Sequence, residues 1–163
     1  SDEYGVAAGF LGSDRCGYLT HSYGWKDSPK RMAKLTSELY HDLHADMVVV
    51  ERNHGGKWML QVLRDEDPNM NIVVTWASDG KKIRAKPVAA LFERRTDLDR
   101  EFRARLVGFH EELEEELTTT TFKQGELSPN RLDAAVWLIT ELMIKPTGHN
   151  LGPMEDQRLE GRR

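Results

Sequence analysis

The chain carries one cysteine, Cys16, in 163 residues, which excludes an internal disulfide framework and a cysteine-rich zinc centre and suits a reducing cytoplasm. It has no apolar run near the ~20 residues that cross a bilayer, and no basic stretch leading into an apolar one at its start. Neither a membrane helix nor export is expected. Positive charge is also short: the formal net charge of −4 argues against an indiscriminate polyanion-coating protein, because such binding draws on Lys and Arg. A local basic strip can still be outweighed by acidic ligands and acidic helices. The remaining composition, 39% apolar and 31% charged, is that of a globular chain whose length suits one domain with one substantial core.

Gly5 to Leu11 and Gly17 to Thr20 read as two strands of a hairpin joined by Gly12-Ser13-Asp14-Arg15. Ser28-Pro29 is a helix-start signal, followed by Met32, Leu35, Leu39 and Leu43 at helical spacing. Asp46 to Val50 has the continuous apolar pattern of a strand buried on both faces. A turn at Asn53-His54-Gly55-Gly56, a helix through Trp58, Leu60 and Leu63, and a strand from Asn71 to Ala77 follow. This order implies a parallel crossover and an α/β layer fold. Ser78 to Lys82 reads as a loop, Pro87 to about Arg105 as mostly helix, and Thr118 to Thr121 as a strand or extended edge. Glu111 to Glu116, with five glutamates around Leu113, reads as a solvated helix face. Ser128-Pro129 opens a last helix whose Leu132, Ala135, Val136, Ile139 and Leu142 form a core stripe, and residues 146–163 read as a tail. The four tryptophans, Trp25, Trp58, Trp76 and Trp137, are expected in the core.

Two carboxylates stand beside apolar runs. Glu51 ends Met47-Val48-Val49-Val50, and Asp133 interrupts Leu132 to Ile139. Desolvating an ionised carboxylate is costly without a positive partner, and a divalent cation is the strongest such partner. The plainer accounts are a glutamate leaving the core as its strand ends and an aspartate stabilised by a helix N-terminus. Two such acids also suit a hard-cation site, since Mg²⁺ takes few protein carboxylates and keeps positions for water and phosphate oxygens. A third constellation, Ser78-Asp79-Gly80-Lys81-Lys82-Ile83-Arg84-Ala85-Lys86, places four cations in six positions after a strand. It is either a phosphate clamp or a solubilising loop, and it is not a Walker loop. His41 and His44 lack a third ligand and read as surface histidines, and no nucleophile elbow or zinc-protease helix is present.

Three segments, Val48 to Gly56, Ala77 to Val88 and Ser128 to Trp137, resemble in order and spacing the nuclease domain of tailed-bacteriophage large terminase subunits, and Leu106 to Glu116 is similar to the stretch before that family's last helix. The resemblance spans roughly Asp2 to Leu142. It implies a ribonuclease H-like mixed sheet flanked by helices over residues 1–145. The implied activity is that of a metal-dependent endonuclease cutting concatemeric double-stranded viral DNA during genome packaging, in the cytoplasm of a bacterial host. By position, Glu51 matches the second acidic ligand of one or two Mg²⁺ or Mn²⁺ ions and Asp133 the third, both catalytic. Lys81, Lys82 and Arg84 fall on the basic loop near the DNA backbone, with Asn53 and Arg131 as neighbours. The implied partners are double-stranded DNA, the terminase ATPase domain, the small terminase subunit and the portal.

The resemblance departs at the front. The family's first metal-binding aspartate lies on a strand preceding the segment that matches Asp2 to Val6, so either this chain lacks that strand or another acid, such as Asp2 or Asp14, serves. With no Walker loop, ATP hydrolysis and translocation are not expected of this chain alone. A non-catalytic DNA-docking or assembly module of the packaging motor, and a Holliday-junction resolvase-like nuclease, are the alternatives.

Overall fold

The computed structural model describes residues 3–52, 56–93, 103–120 and 130–145. Asp2, Asn53, the Ser128-Pro129 helix start and the 146–163 tail therefore lie outside the described residues. Strands β1 (Glu3–Leu11) and β2 (Gly17–Lys26) form the expected hairpin, antiparallel from Glu3 opposite Lys26 to Leu11 opposite Gly17, with an irregularity between Ala8 and Gly9. Its turn is organised by Asp14, whose carboxylate accepts the Tyr18 hydroxyl and, at 2.9 Å, the Cys16 amide. Those two hydrogen bonds, Tyr18 first, hold the Asp14 carboxyl below the usual carboxylate range.

Helix α1 (Pro29–Asp42) starts as its sequence predicts, with Ser28 as N-cap accepting from the Arg31 amide and Pro29 in the first turn. Strand β3 (Val48–Glu51), helix α2 (Gly56–Glu66) and strand β4 (Ile72–Thr75) make the expected parallel unit, with Val48 opposite Ile72 and Glu51 opposite Thr75, although β3 is half-buried along its length and not buried on both faces. Helix α3 (Lys81–Phe92), strand β5 (Ala104–Leu106), helix α4 (Glu111–Thr119) and helix α5 (Asn130–Ile139) follow, and a π-helical turn, Thr140–Ile144, continues α5. Strand β5 joins β2 in parallel, so the chain is mixed α/β. A three-stranded mixed sheet runs in the order β1-β2-β5, beside a separate two-stranded pair, β3-β4.

Two apolar clusters hold these elements. Met32, Ala33, Leu63 and Met70, from α1, α2 and the turn after it, pack with Tyr4 and Val6 of β1, Val48 and Val50 of β3, and Ile72 of β4. The larger cluster gathers Leu19, Ala85, Val88, Ala104, Leu113, Leu132, Ala135, Val136 and Ile139, with Ala7 of β1 packed against it. Strand β1 serves both, its side chains alternating between faces with the two-residue period of a strand. Helix α5 lies very close to the hairpin. A Cβ on Gly5 would stand 1.9 Å from the Asn130 carbonyl oxygen, and one on Gly24 would stand 2.9 Å from Arg131 Cβ, so only glycine fits at these crossings.

Several expectations are overturned. The Ser78–Lys82 loop ends at Gly80, and α3 runs from Lys81 through Pro87. Proline in a helix interior removes one backbone bond, a cost of ~3 kcal/mol that burial of Ala85 and Val88 on either side helps to offset. The region assigned to helix up to Arg105 instead contains β5, because Ala104 and Leu106 pair with β2. The threonine run is helical through Thr119: Leu113 anchors α4, and the Thr118 and Thr119 hydroxyls donate back to the Glu114 and Glu115 carbonyls. Trp58 and Trp76 are exposed, at 49% and 64%, rather than in the core.

His41 is exposed, as expected of a surface histidine, and its ring joins a small polar hub. Its Nε2 lies 2.6 Å from Asp67 Oδ2, the Ser37 hydroxyl donates to the same oxygen at 2.9 Å, and the Asn69 amide donates to Oδ1 at 2.9 Å. The hub ties α1 to the turn after α2. The Asn69 amide first, then His41 and Ser37, lower the pKa of the buried Asp67 carboxyl. A carboxyl with a depressed folded pKa contributes stability that is complete above its unfolded value and fades as pH falls toward the folded one. Asp67→Ala should therefore be less stable than the parent at neutral pH. Urea denaturation between about pH 6 and about pH 2 should show the two curves converging in the acid range.

Candidate functional site

The carboxyl end of β3 delivers Glu51 to the space facing α3 and α5. Glu51 is the last residue of β3, paired opposite Thr75, and the Arg52 amide donates to the Thr75 carbonyl at 2.8 Å beyond it. Asp133 lies in the first turn of α5 and Trp137 one turn further along the same face. Lys81 and Arg84 are three apart on α3 and likewise share a face. Two helical pairs and one strand end thus meet.

Arg84 is at the centre. Its Nη2 lies 3.3 Å from Asp133 Oδ1 and 3.9 Å from Glu51 Oε1, its Nη1 donates to the Asp79 carbonyl at 2.6 Å, and its guanidinium stacks 4.7 Å from the centre of the Trp137 ring. The outer carboxylate oxygens are held as well. Trp137 Nε1 donates to Glu51 Oε2 at 2.9 Å, and Lys81 Nζ lies 3.2 Å from Asp133 Oδ2. The three inner side chains are largely shielded, Arg84 at 9%, Asp133 at 14% and Glu51 at 21% exposed, so the charges act on one another with little screening. Arg84 Nε is buried with no hydrogen-bond partner among the described residues. Gly80, the N-cap of α3, offers no side-chain acceptor to the first turn, so Lys81 and Lys82 stand on an uncapped positive helix end.

The structure therefore brings together four of the residues picked from sequence, Glu51, Asp133, Lys81 and Arg84, and leaves Lys82 exposed beside them. Arg131 is elsewhere: Glu116 Oε1 and the Gly24 carbonyl engage its two terminal nitrogens, at 3.4 and 3.2 Å. Glu116 also accepts the Leu132 amide at 3.0 Å, capping α5, so one of the five glutamates read as solvated face is structural. Asp14 sits at the hairpin turn, far along α5 from Asp133. Helix α5 follows β1 from Asn130 over Gly5 to Leu138 over Gly9, and its continuation reaches Gly17 with Met143. Asp2 and Asn53 are outside the described residues. Among those residues no group of three or more His, Cys, Asp or Glu is placed to share an ion. Trp137 is the site member that sequence reading assigned to the core, although its four-residue spacing from Asp133 carried the signal. No described helix is long and apolar enough to cross a membrane.

No family model matches the chain, and neither a curated protein nor a solved structure matches it.

Removing one member of a shielded charge cluster strands the others. Arg84→Gln leaves Glu51 and Asp133 without their common partner and should cost about 3 kcal/mol by urea denaturation in EDTA. Adding Asp133→Asn should recover about 1 kcal/mol or more of that loss as a coupling energy in the double-mutant cycle.

Proposed function

We propose that this chain is a metal-dependent endonuclease of terminase type, built on a ribonuclease H-like fold and cutting double-stranded viral DNA during genome packaging in a bacterial host cytoplasm. The observation that carries the reading is the convergence of Glu51 and Asp133, distant in sequence, on a single point between a strand end and two helices. Carboxylates gathered at the carboxyl end of parallel strands are where an open α/β sheet collects its ligands.

The sheet arrangement is consistent with the fold proposed. Strand β1 ends one sheet and β3 belongs to the other, yet Tyr4 and Val6 of β1 and Val48 and Val50 of β3 pack on the same α1–α2 cluster. Among the described residues β1 and β3 each have an edge that no strand pairs, room for a further strand of the fold proposed. The donor set suits a hard cation: two carboxylates each direct one oxygen at the same positive group, and Trp137 fixes the orientation of Glu51. Glu51 and Asp133 would hold one or two Mg²⁺ or Mn²⁺ ions, which would supply an activated water and charge for the leaving oxygen. Lys81, Lys82 and the uncapped start of α3 hold the phosphate backbone without reading bases. The ATPase domain, small terminase subunit and portal are the partners this reading supplies.

A second reading has its own support. Glu51 and Asp133 are already neutralised by Arg84 and Lys81, as they would be in a non-catalytic docking module of the same motor.

Incubation with supercoiled plasmid separates the two. Nicking is expected with Mn²⁺ or Mg²⁺ and none with EDTA. Glu51→Gln and Asp133→Asn should abolish it, and Trp137→Phe should slow it by about 10- to 100-fold through loss of an orienting hydrogen bond. A well-folded protein that never nicks supports the docking module. Duplex binding should weaken steeply with salt, and Lys82→Ala should flatten the log–log slope by about 0.9; a salt-independent affinity would exclude the phosphate clamp.

A further inference from the structure

Arg84 occupies the point at which both carboxylates aim, yet it is loosely held there. Tight charge-assisted pairs close to about 2.7–2.9 Å, whereas Arg84 Nη2 stands 3.3 Å from Asp133 and 3.9 Å from Glu51. Its Nε, shielded from water, has no hydrogen-bond partner among the described residues. The guanidinium is kept near by contacts that do not involve the acids, the Asp79 carbonyl and the face of Trp137. An occupant anchored from behind and weakly bound in front can leave the acids without leaving the site.

Charge balance indicates what would move it. Lys81 and Arg84 carry two positive charges and Glu51 and Asp133 two negative ones, so the four are neutral together. Adding a divalent ion leaves two uncompensated positive charges beside the shielded Arg84 and the half-exposed Lys81, and the phosphates of DNA are the anions that restore the balance. We propose, on the nuclease reading, that Arg84 is a displaceable internal cation. It holds Glu51 and Asp133 apart from metal in the free protein, competes with the divalent ion for their inner oxygens, and turns to a DNA phosphate when duplex arrives. Metal and DNA then bind with positive coupling through one side chain, and that coupling is reciprocal.

Calorimetric titration with Mn²⁺ tests this without reference to cleavage. Arg84→Gln should bind Mn²⁺ about tenfold or more tightly than the parent, and Arg84→Lys should fall between them. A short phosphorothioate duplex should tighten Mn²⁺ binding by the parent and have a much smaller effect on Arg84→Gln. Because that substitution strands two acids, Mn²⁺ should also raise its melting temperature more than the parent's, a readout that holds even where the variant is only partly folded in EDTA. Unchanged or weaker Mn²⁺ binding by Arg84→Gln, with parent binding abolished by Glu51→Gln, would overturn the competition and leave the metal site standing. No Mn²⁺ binding by any form, Arg84→Gln included, would overturn both.

Discussion

Everything around the carboxyl ends of β3 and β4 depends on neutralising two carboxylates that the fold has shielded from water. Glu51 cannot retreat to solvent because its strand is pinned to β4 through Thr75 and to α1 and α2 through Val48 and Val50. Asp133 cannot because Leu132, Ala135 and Val136 bury the same helix. Isolated ions in such positions would be costly, and Arg84 removes the cost for both at once. Arg is suited to this and Lys is not: one end of its planar fork, Nη2, faces both acids and the other, Nη1, donates to the Asp79 carbonyl, while its face lies on Trp137. The position of α3 follows. A helix starting at Lys81 and tolerating Pro87 is what presents Lys81 and Arg84 together toward α5.

Local signals were legible wherever one stretch of chain decides its own structure. The hairpin, the Ser28-Pro29 helix start, the β3-α2-β4 unit and the apolar stripe of α5 all come from turn residues, caps or hydrophobic period, and all are present. What was not legible depended on partners distant in sequence. Ala104-Arg105-Leu106 is too short to declare itself and is a strand because β2 offers an edge. The threonines after Glu116 have strand propensity, but Leu113 commits the segment to a helix and the hydroxyls find acceptors within it. Glu116 looked like its four exposed neighbours, and only the arrival of α5 makes it a cap.

At the candidate site the split is the same. That Glu51 and Asp133 needed a positive partner was readable from their apolar surroundings; that the partner at hand is Arg84 was not, because the loop reading of Ser78 to Lys82 hid the helical face it shares with Lys81. The glycines of β1 and β2 carried a signal that propensity alone undervalues. Gly5 and Gly24 weaken a strand by themselves, and their worth appears only where α5 crosses so closely that a methyl group would meet Asn130 or Arg131. That close crossing sets the height of Asp133 above the sheet, and so its reach to Arg84.

Trp137 links the two halves of the site. Its indole nitrogen fixes Glu51, which belongs to the sheet, while its ring face supports Arg84, which belongs to α3, and its own backbone sits one turn beyond Asp133 on α5. A phenylalanine would keep the face and lose the donor; a histidine or glutamine would offer a donor with far less surface for the guanidinium. One side chain therefore holds an acid and a base in register from a third element. Because Trp137 Nε1 holds Oε2, Glu51 has an orienting contact besides the Arg84 that faces its Oε1. The acid is thus oriented by more than its ion-pair partner.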